Sequence, residues 1–197
     1  MNPNIEILRT EILADNWYKL NKITFRQRDS SGSWSTQSRE AYDRGNGATI
    51  LLYNKDLQTV ILTRQFRMPT YVNGNADGML IEACAGLLDG DNPLEAIKRE
   101  TEEETGYRIT EVQHLFDLYM SPGSVTEIVH YYLAAYSTGH KVSSGGGTGA
   151  EELIDVLEIP FDHAMTMIKT GEIKDGKTVI LLQQLLLSGL MNKQTKT

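Results

Sequence analysis

The chain has one cysteine, two tryptophans, five prolines and no excess of basic residues. Each shortage excludes something. The lone Cys84 cannot close an internal disulfide, so a disulfide-stapled secreted scaffold is excluded. Its place in a hydrophobic stretch points to a buried thiol in a reducing compartment rather than to a nucleophile. With 19 Lys and Arg against 26 Asp and Glu, the net charge of −7 argues against sequence-independent binding to nucleic acid. It also means that an anionic ligand needs positive charge supplied locally. No apolar run approaches the ~18 residues that span a bilayer, and the first residues carry no basic-then-apolar leader pattern. The expectation is a cytoplasmic protein with neither membrane nor nucleic acid as a partner. Its 197 residues suffice for one domain with an appended N-terminal piece.

One segment is dense in information. Residues 86–107 read GLLDGDNPLEAIKRETEEETGY. Asn92 is a good helix N-cap, Pro93 suits the first helical position, and Glu95 falls where a capping-box acid reaches back to the cap. Gly106 suits a left-handed C-terminal position. In the helix so bounded, Glu100, Glu103 and Glu104 sit at i, i+3 and i+4, on one face. Glu102 points about 200° away from Glu100 and is excluded. Leu94, Ile97 and Thr101 make an adjoining packing face. Three like charges on one face repel unless a cation sits among them, and all-oxygen ligands suit Mg²⁺ or Mn²⁺. By itself such a run is most often a solvated surface; its surroundings change the reading.

Alternating segments at 5–13, 16–28 and 34–44, with the turn Asp29–Gly32 between the last two, predict an N-terminal antiparallel β segment over residues 1–45. Residues 46–197 then form the main domain. Strands are expected at Ala48–Tyr53, Thr59–Met68, Met79–Ala85, Glu111–Tyr119, Thr126–Tyr136 and Ile154–Ile159. Helices are expected at Pro160–Thr170 and Lys177–Leu190, and Ser143–Gly149 is expected to be a mobile glycine loop. Strands mixed with a few helices give an α/β sandwich, with the carboxylate-bearing helix packed on a mixed sheet.

Gly86, Arg99-Glu100, Glu103-Glu104, Gly106 and Tyr107 resemble the signature of the Nudix hydrolases, G-x5-E-x7-R-E-U-x-E-E-x-G-U. The spacing from Gly86 to Arg99 is one residue short, Asn92 stands in place of the first Glu, and Thr101 replaces an aliphatic residue. Beyond this box, YDRGNGATILLYN (42–54), RQFR (64–67), NGN (73–75), IEACAGLLD (81–89), LYMSPG (118–123), VTEIVH (125–130) and IKTGEIKDGKT (168–178) resemble family members that cleave nucleotide sugars, GDP-mannose foremost and ADP-ribose as the rival.

The resemblance implies a Nudix-type α/β/α sandwich and Mg²⁺-dependent hydrolysis of a diphosphate, with Mn²⁺ able to substitute. It implies a metal held by Glu100, Glu104, the carbonyl at Ala85, and Glu103 as third ligand or supporting partner. Glu152, with Glu151 as alternate, is the further acid, as metal ligand or general base. Arg99, at i−4 from Glu103, is expected to orient the carboxylates. Arg67 is the candidate for the diphosphate, since its fork suits phosphate. Trp17 is the candidate for base stacking. Arg39, Glu40, Glu127, Lys177 and the Ala85-Gly86-Leu87 run complete the expected substrate contacts. A homodimer through the N-terminal segment is implied as well. The different-class alternative is a Nudix-fold module that binds nucleotides without catalysis.

Two patterns are set aside. Gly171–Thr178 matches G-x4-G-K-T, but a phosphate-binding loop follows a strand, and here the preceding segment reads as helix. Thr178 is accordingly expected to matter little. His114, His130, His140 and His163 show no metal-ligand spacing and are assigned no role.

Overall fold

The computed structural model describes residues 2–148 and 153–192. The chain forms two compact units: residues 1–46 with 119–128, and residues 47–118 with 129–197.

In the first unit, β1 (Ile5–Asp15), β2 (Lys19–Arg28) and β3 (Trp34–Asp43) form an antiparallel sheet in that order. Asp29 sets the β2–β3 turn: its Oδ1 accepts the amides of Ser31 at 2.8 Å and Ser33 at 2.9 Å. This is the local side-chain turn that aspartate favours. β2 begins three residues later than the alternation suggests, because Asn16–Tyr18 form the β1–β2 connection, closed by Asn16 N–H on the Tyr18 carbonyl. The segment 119–128 joins through Tyr42, whose amide donates to the Ser124 carbonyl at 2.8 Å. Ile7, Leu8, Ile12, Leu13, Trp17 and Trp34 are exposed on this unit.

The second unit is built on β4 (Gly47–Asn54), all eight of whose residues are buried. A strand covered on both faces reads as a near-continuous apolar run, as ATILLY does. β4 pairs antiparallel with β5 (Thr59–Phe66) and parallel with β9 (Ile128–Ala135), so the sheet is mixed. β10 (Ile154–Pro160) lies beyond β5, and β8 (Gln113–Tyr119) beyond β9. Between β5 and β8 the chain also makes α1 (Met68–Val72), a five-residue helix too short to leave a periodic trace in sequence. Met68 belongs to it and not to the preceding strand.

The segment expected to be one strand is two. β6 (Met79–Glu82) pairs with β5, and β7 (Cys84–Leu87) pairs with β4. Ala83 is the junction where the chain changes partner, and its N–H leaves the ladder. That amide donates to Thr178 Oγ1 at 2.6 Å. A buried amide without an acceptor is costly, so a threonine supplies one here.

The helix α2 (Pro93–Thr105) has the expected ends: Asn92 accepts the Leu94 amide at 3.0 Å, and Gly106 is left-handed at φ 78°. Glu95 does not close a capping box; it pairs with Lys98 at 3.3 Å. Ile97 and Thr101 are fully buried. Thr101 is tolerated inside because its hydroxyl bonds back to the Ile97 carbonyl at 2.6 Å. Ala96 and Ile97 pack with Ala48, Ile50 and Leu52 on one face of β4. By alternation Thr49 and Leu51 face the other way. There α4 (Gly176–Leu187), with Leu181, Leu182 and Leu185 buried, contacts β4, and α3 (Phe161–Thr170) contacts α4. This is the α/β/α sandwich.

The G-x4-G-K-T run is not a phosphate loop. It follows α3, whose left-handed C-cap is Gly171 (φ 78°), and Asp175 caps α4 by accepting the Thr178 amide at 2.9 Å. Thr178 itself is fully buried. Its hydroxyl has a structural role that the expectation about phosphate binding did not cover: replacing it by Ala orphans the Ala83 amide. We expect Thr178→Ala to cost on the order of 1–3 kcal/mol, read as a lower denaturant midpoint, while Thr178→Ser retains most of the stability.

Candidate active site

The helix α2 fixes its carboxylates against β7. Gly86 has no side chain because Glu100 occupies that space; a Cβ there would collide with Glu100 Cγ and Cδ. One turn on, Glu104 is 8 % exposed, and its Oε2 is buried with no hydrogen-bond partner. Burial pushes its carboxyl up to about 7, and the charge of Glu100 adds to the rise. The Cys84 thiol, the Arg67 guanidinium and the Ala85 amide only partly offset this. The same burial, with Glu104 alongside, pushes the Cys84 thiol well up, so it is an inert neighbour. Glu103 is half-buried on the same helix. Glu102 is elsewhere, paired through both oxygens with Arg108 at 2.7 and 2.8 Å. Glu102 is thus engaged away from Glu100 and Glu104.

Arg99 lies between the preceding turn and the carboxylates of α2. Its Nη1 donates to Asp91 Oδ2 at 2.7 Å, and its Nη2 lies 3.7 Å from Glu100 Oε1. It reaches the adjacent carboxylate, tethered by an aspartate in the preceding turn. Arg67 and Lys177 converge on a residue that sequence reasoning missed. Glu82, with a side chain 4 % exposed, accepts Arg67 Nε at 2.7 Å and Lys177 Nζ at 2.5 Å. Lys177 also meets Asp175 at 3.0 Å. The available signal was a lone acid inside the apolar run MLIEACAGLL. A buried carboxylate needs paired charges, and the fold brings two from distant parts of the chain. The charge of Lys177, read from the sequence as one that reaches a phosphate or sugar, is matched here by Glu82 and Asp175.

The glycine loop is docked rather than free over its described part. Gly146 N donates to the Glu104 carbonyl at 2.8 Å, Gly147 N to the Glu103 carbonyl at 3.1 Å, and Val142 N to the Gly106 carbonyl at 2.8 Å. These are the carbonyls that a helix end leaves unsatisfied. A side chain at Gly106 would strike the Ser143 carbonyl oxygen, and one at Gly145 would meet the backbone of Glu104 and Thr105. The composition serves close backbone approach as much as flexibility. Glu151 and Glu152 lie outside the described residues.

Ala85 and Leu87 lie in β7, opposite Thr49 and Gly47 of β4. Trp17, Arg39, Glu40 and Glu127 belong to the other compact unit. There Trp17 is 85 % exposed, and Arg39 bonds the Ser38 carbonyl and Gln37 Oε1, both at 2.8 Å. Glu40 is exposed opposite Lys22, and Glu127 meets Arg44 at 3.6 Å.

The residues of α2 fit a hard divalent cation. The donors are all oxygen, one of them is buried and orphaned, and the cations brought nearby are matched by Glu82, Asp175 and Asp91. Among the described residues the three carboxylates do not converge as a group within 4.8 Å.

A mixed sheet carrying such a helix defines the class. The NUDIX domain model matches residues 43–181, and the chain belongs to the Nudix family of hydrolases. Residues 4–42 match the model described as the GDP-mannose pyrophosphatase NudK N-terminal domain. The chain is similar to the GDP-mannose pyrophosphatase of Klebsiella pneumoniae subsp. pneumoniae, 55% identical over 98% of this chain and 96% of that one. It is 56% identical to that of Yersinia enterocolitica over 97% of this chain and 100% of the relative. Among solved structures, "Crystal structure of ADP compounds hydrolase" superposes with a TM-score of 0.69 at 20% identity, covering 95% of this chain and 97% of the other.

Glu104 makes stability depend on pH. An unfolded carboxyl loses its proton near 4.5, whereas the folded one holds it to about 7. Between these values the folded state binds more protons, so the metal-free protein loses stability as pH rises through that window, by roughly 3 kcal/mol in all. A cation that needs the carboxylate works in the opposite sense. In EDTA, Glu104→Gln should raise Tm at pH 8 and not at pH 4.5. Mg²⁺ should raise wild-type Tm more at pH 8 than at pH 5.5. An equal Mg²⁺ effect at both pH values would remove Glu104 from the metal site.

Proposed function

We propose that the protein hydrolyses the diphosphate of a nucleotide sugar, GDP-mannose before others, to GMP and mannose 1-phosphate. The observation that carries the reading is the buried, partnerless Glu104 oxygen beside Glu100. A carboxylate kept there at neutral pH lacks only a cation, and the matched charges around it leave none from the protein. The names of the relatives, together with identity that runs the whole length of the chain, support the substrate.

Glu100, Glu104, Glu103 and the Ala85 carbonyl would hold Mg²⁺, with Mn²⁺ as substitute. When bound, the cation neutralises diphosphate oxygens and acidifies water. The chain's own residues do the rest. Arg67, kept in place by Glu82, presents the exposed part of its fork to the diphosphate. Gly86 and Leu87 give it a backbone surface without bulk. Arg99, tethered to Asp91, holds Glu100. Glu152, or Glu151 in its place, takes the proton of the attacking water. Water adds across P–O–P, and the bridging oxygen leaves with one of the two phosphates. Lys177 acts through Glu82. Trp17, Arg39, Glu40 and Glu127 are assigned to base and sugar recognition.

The N-terminal segment is proposed to form a homodimer interface. Its three-stranded sheet has two edge strands and exposes Ile7, Leu8, Ile12, Leu13, Trp17 and Trp34, more apolar surface than a small sheet carries alone. Neither nucleic acid nor membrane is a partner in this reading. Among the described residues no helix is long and apolar enough to cross a membrane. The compartment is proposed to be the cytoplasm.

Incubating the chain with GDP-mannose, ADP-ribose and other nucleotide sugars in Mg²⁺, with products followed by phosphorus NMR in labelled water, should give GMP and mannose 1-phosphate fastest. Faster turnover of ADP-ribose would reassign the substrate, and binding without turnover of any would leave a nucleotide-binding module. Glu100→Gln and Glu104→Gln should each lower kcat about 10²-fold or more, and Glu102→Gln should be nearly silent. Light scattering at micromolar concentration should report twice the 22.1 kDa chain mass; a fully active monomer would refute the dimer.

A further inference from the structure

The histidines left without a role in the sequence are brought together by the fold. His114 and Asp117 lie on β8, and His130 lies on its neighbour β9. His114 Nε2 is 2.8 Å and His130 Nδ1 2.7 Å from the same oxygen, Asp117 Oδ1. All three ligand atoms lie within 4.8 Å of one another, and among the described residues no other trio of His, Cys, Asp or Glu comes so close. The side chains of His114 and Asp117 are about half exposed, at 50 % and 47 %, and that of His130 is 20 % exposed. The cluster is open to solvent on one side and anchored on the other.

The anchoring is specific. His130 stands in register with Ala48 of the buried strand β4. The His114 ring packs edge-on against Tyr132, 5.3 Å between centroids, and Tyr132 belongs to the core. Two imidazole nitrogens and one carboxylate oxygen are the donor set that selects borderline divalent ions such as Zn²⁺, Co²⁺ or Ni²⁺ over Mg²⁺. Around a tetrahedral zinc, donors stand roughly 3.3 Å apart. The hydrogen-bonded arrangement is tighter than that by about half an ångström, within the reach of side-chain rotation.

We propose that His114, Asp117 and His130 form a second metal site for a Zn²⁺-class transition-metal ion, separate from the carboxylate face of α2, with solvent completing the coordination. On binding, His114 Nε2 and His130 Nδ1 each give a lone pair to the metal. Each ring's proton then resides on its other nitrogen, and a protonated ring releases its second proton to solvent. The ion ties β8, the last strand at its end of the sheet, to β9.

The test uses the untagged full chain in millimolar Mg²⁺, titrated with Zn²⁺ against a chromophoric chelator. Histidine ring nitrogens are followed by ¹⁵N NMR in parallel. Saturable uptake of one Zn²⁺ per chain is expected, with His114 Nε2 and His130 Nδ1 shifting and the His140 and His163 rings unmoved. His130→Ala and Asp117→Asn should each weaken binding at least tenfold. His114→Ala, at the most exposed of the three positions, serves as a second variant should either of those fail to fold. Glu104→Gln should retain the uptake, which separates this site from the one on α2. Equal uptake by wild type and the histidine variants, or unmoved His114 and His130 signals at saturation, would overturn the proposal.

Discussion

The placement of one carboxylate governs much of the second unit. Glu104 stands one helical turn from Glu100, in a neighbourhood that is buried and already negative. The fold answers by ringing the position with groups that contribute little charge of their own: a thiol, a backbone amide and an arginine whose guanidinium is already shared with Glu82. Neutralisation by the protein is therefore partial, which is what the proposed cation site requires. Buried ion pairs are weak evidence for stability; here Glu82 and its two cations fix where positive charge is presented.

The neighbouring elements follow from holding that helix still. α2 ends at a left-handed glycine, and the glycine loop closes over its last carbonyls. The start of α2 is fixed by Asn92, and its packing face by Ala96, Ile97 and a threonine that satisfies its own hydroxyl. Thr178 then ties α4 to the point where β6 gives way to β7. A run that resembles a phosphate loop in its letters acts as a clasp between a helix and a strand junction.

What was legible in the sequence follows the range of the interactions. Period-2 alternation, the Asn92 cap, Gly106 and the helix that carries the carboxylates are local, and each was legible to within a few residues. The split at Ala83 was invisible because both halves are apolar and only the pairing partner changes. Glu82 was passed over because its partners are 15 and 95 residues away. His114 and His130 were passed over for the same reason: their meeting point is a register between strands, which no spacing rule along one chain encodes. The short helix α1 buries no residue and so leaves no hydrophobic period.

The contact between Gly86 and Glu100 has a consequence for how the molecule assembles. Side chains on a strand change face with every residue, so a slip of β7 by a single position against β4 would set Ala85 or Leu87 where Gly86 now lies. Either brings a Cβ into the volume that Glu100 fills. α2 could then seat only if the Glu100 side chain gave way. Correct strand register and a correctly formed carboxylate face are thus one cooperative event. A misaligned sheet would also displace the carboxylate face, and both errors raise the free energy of that arrangement.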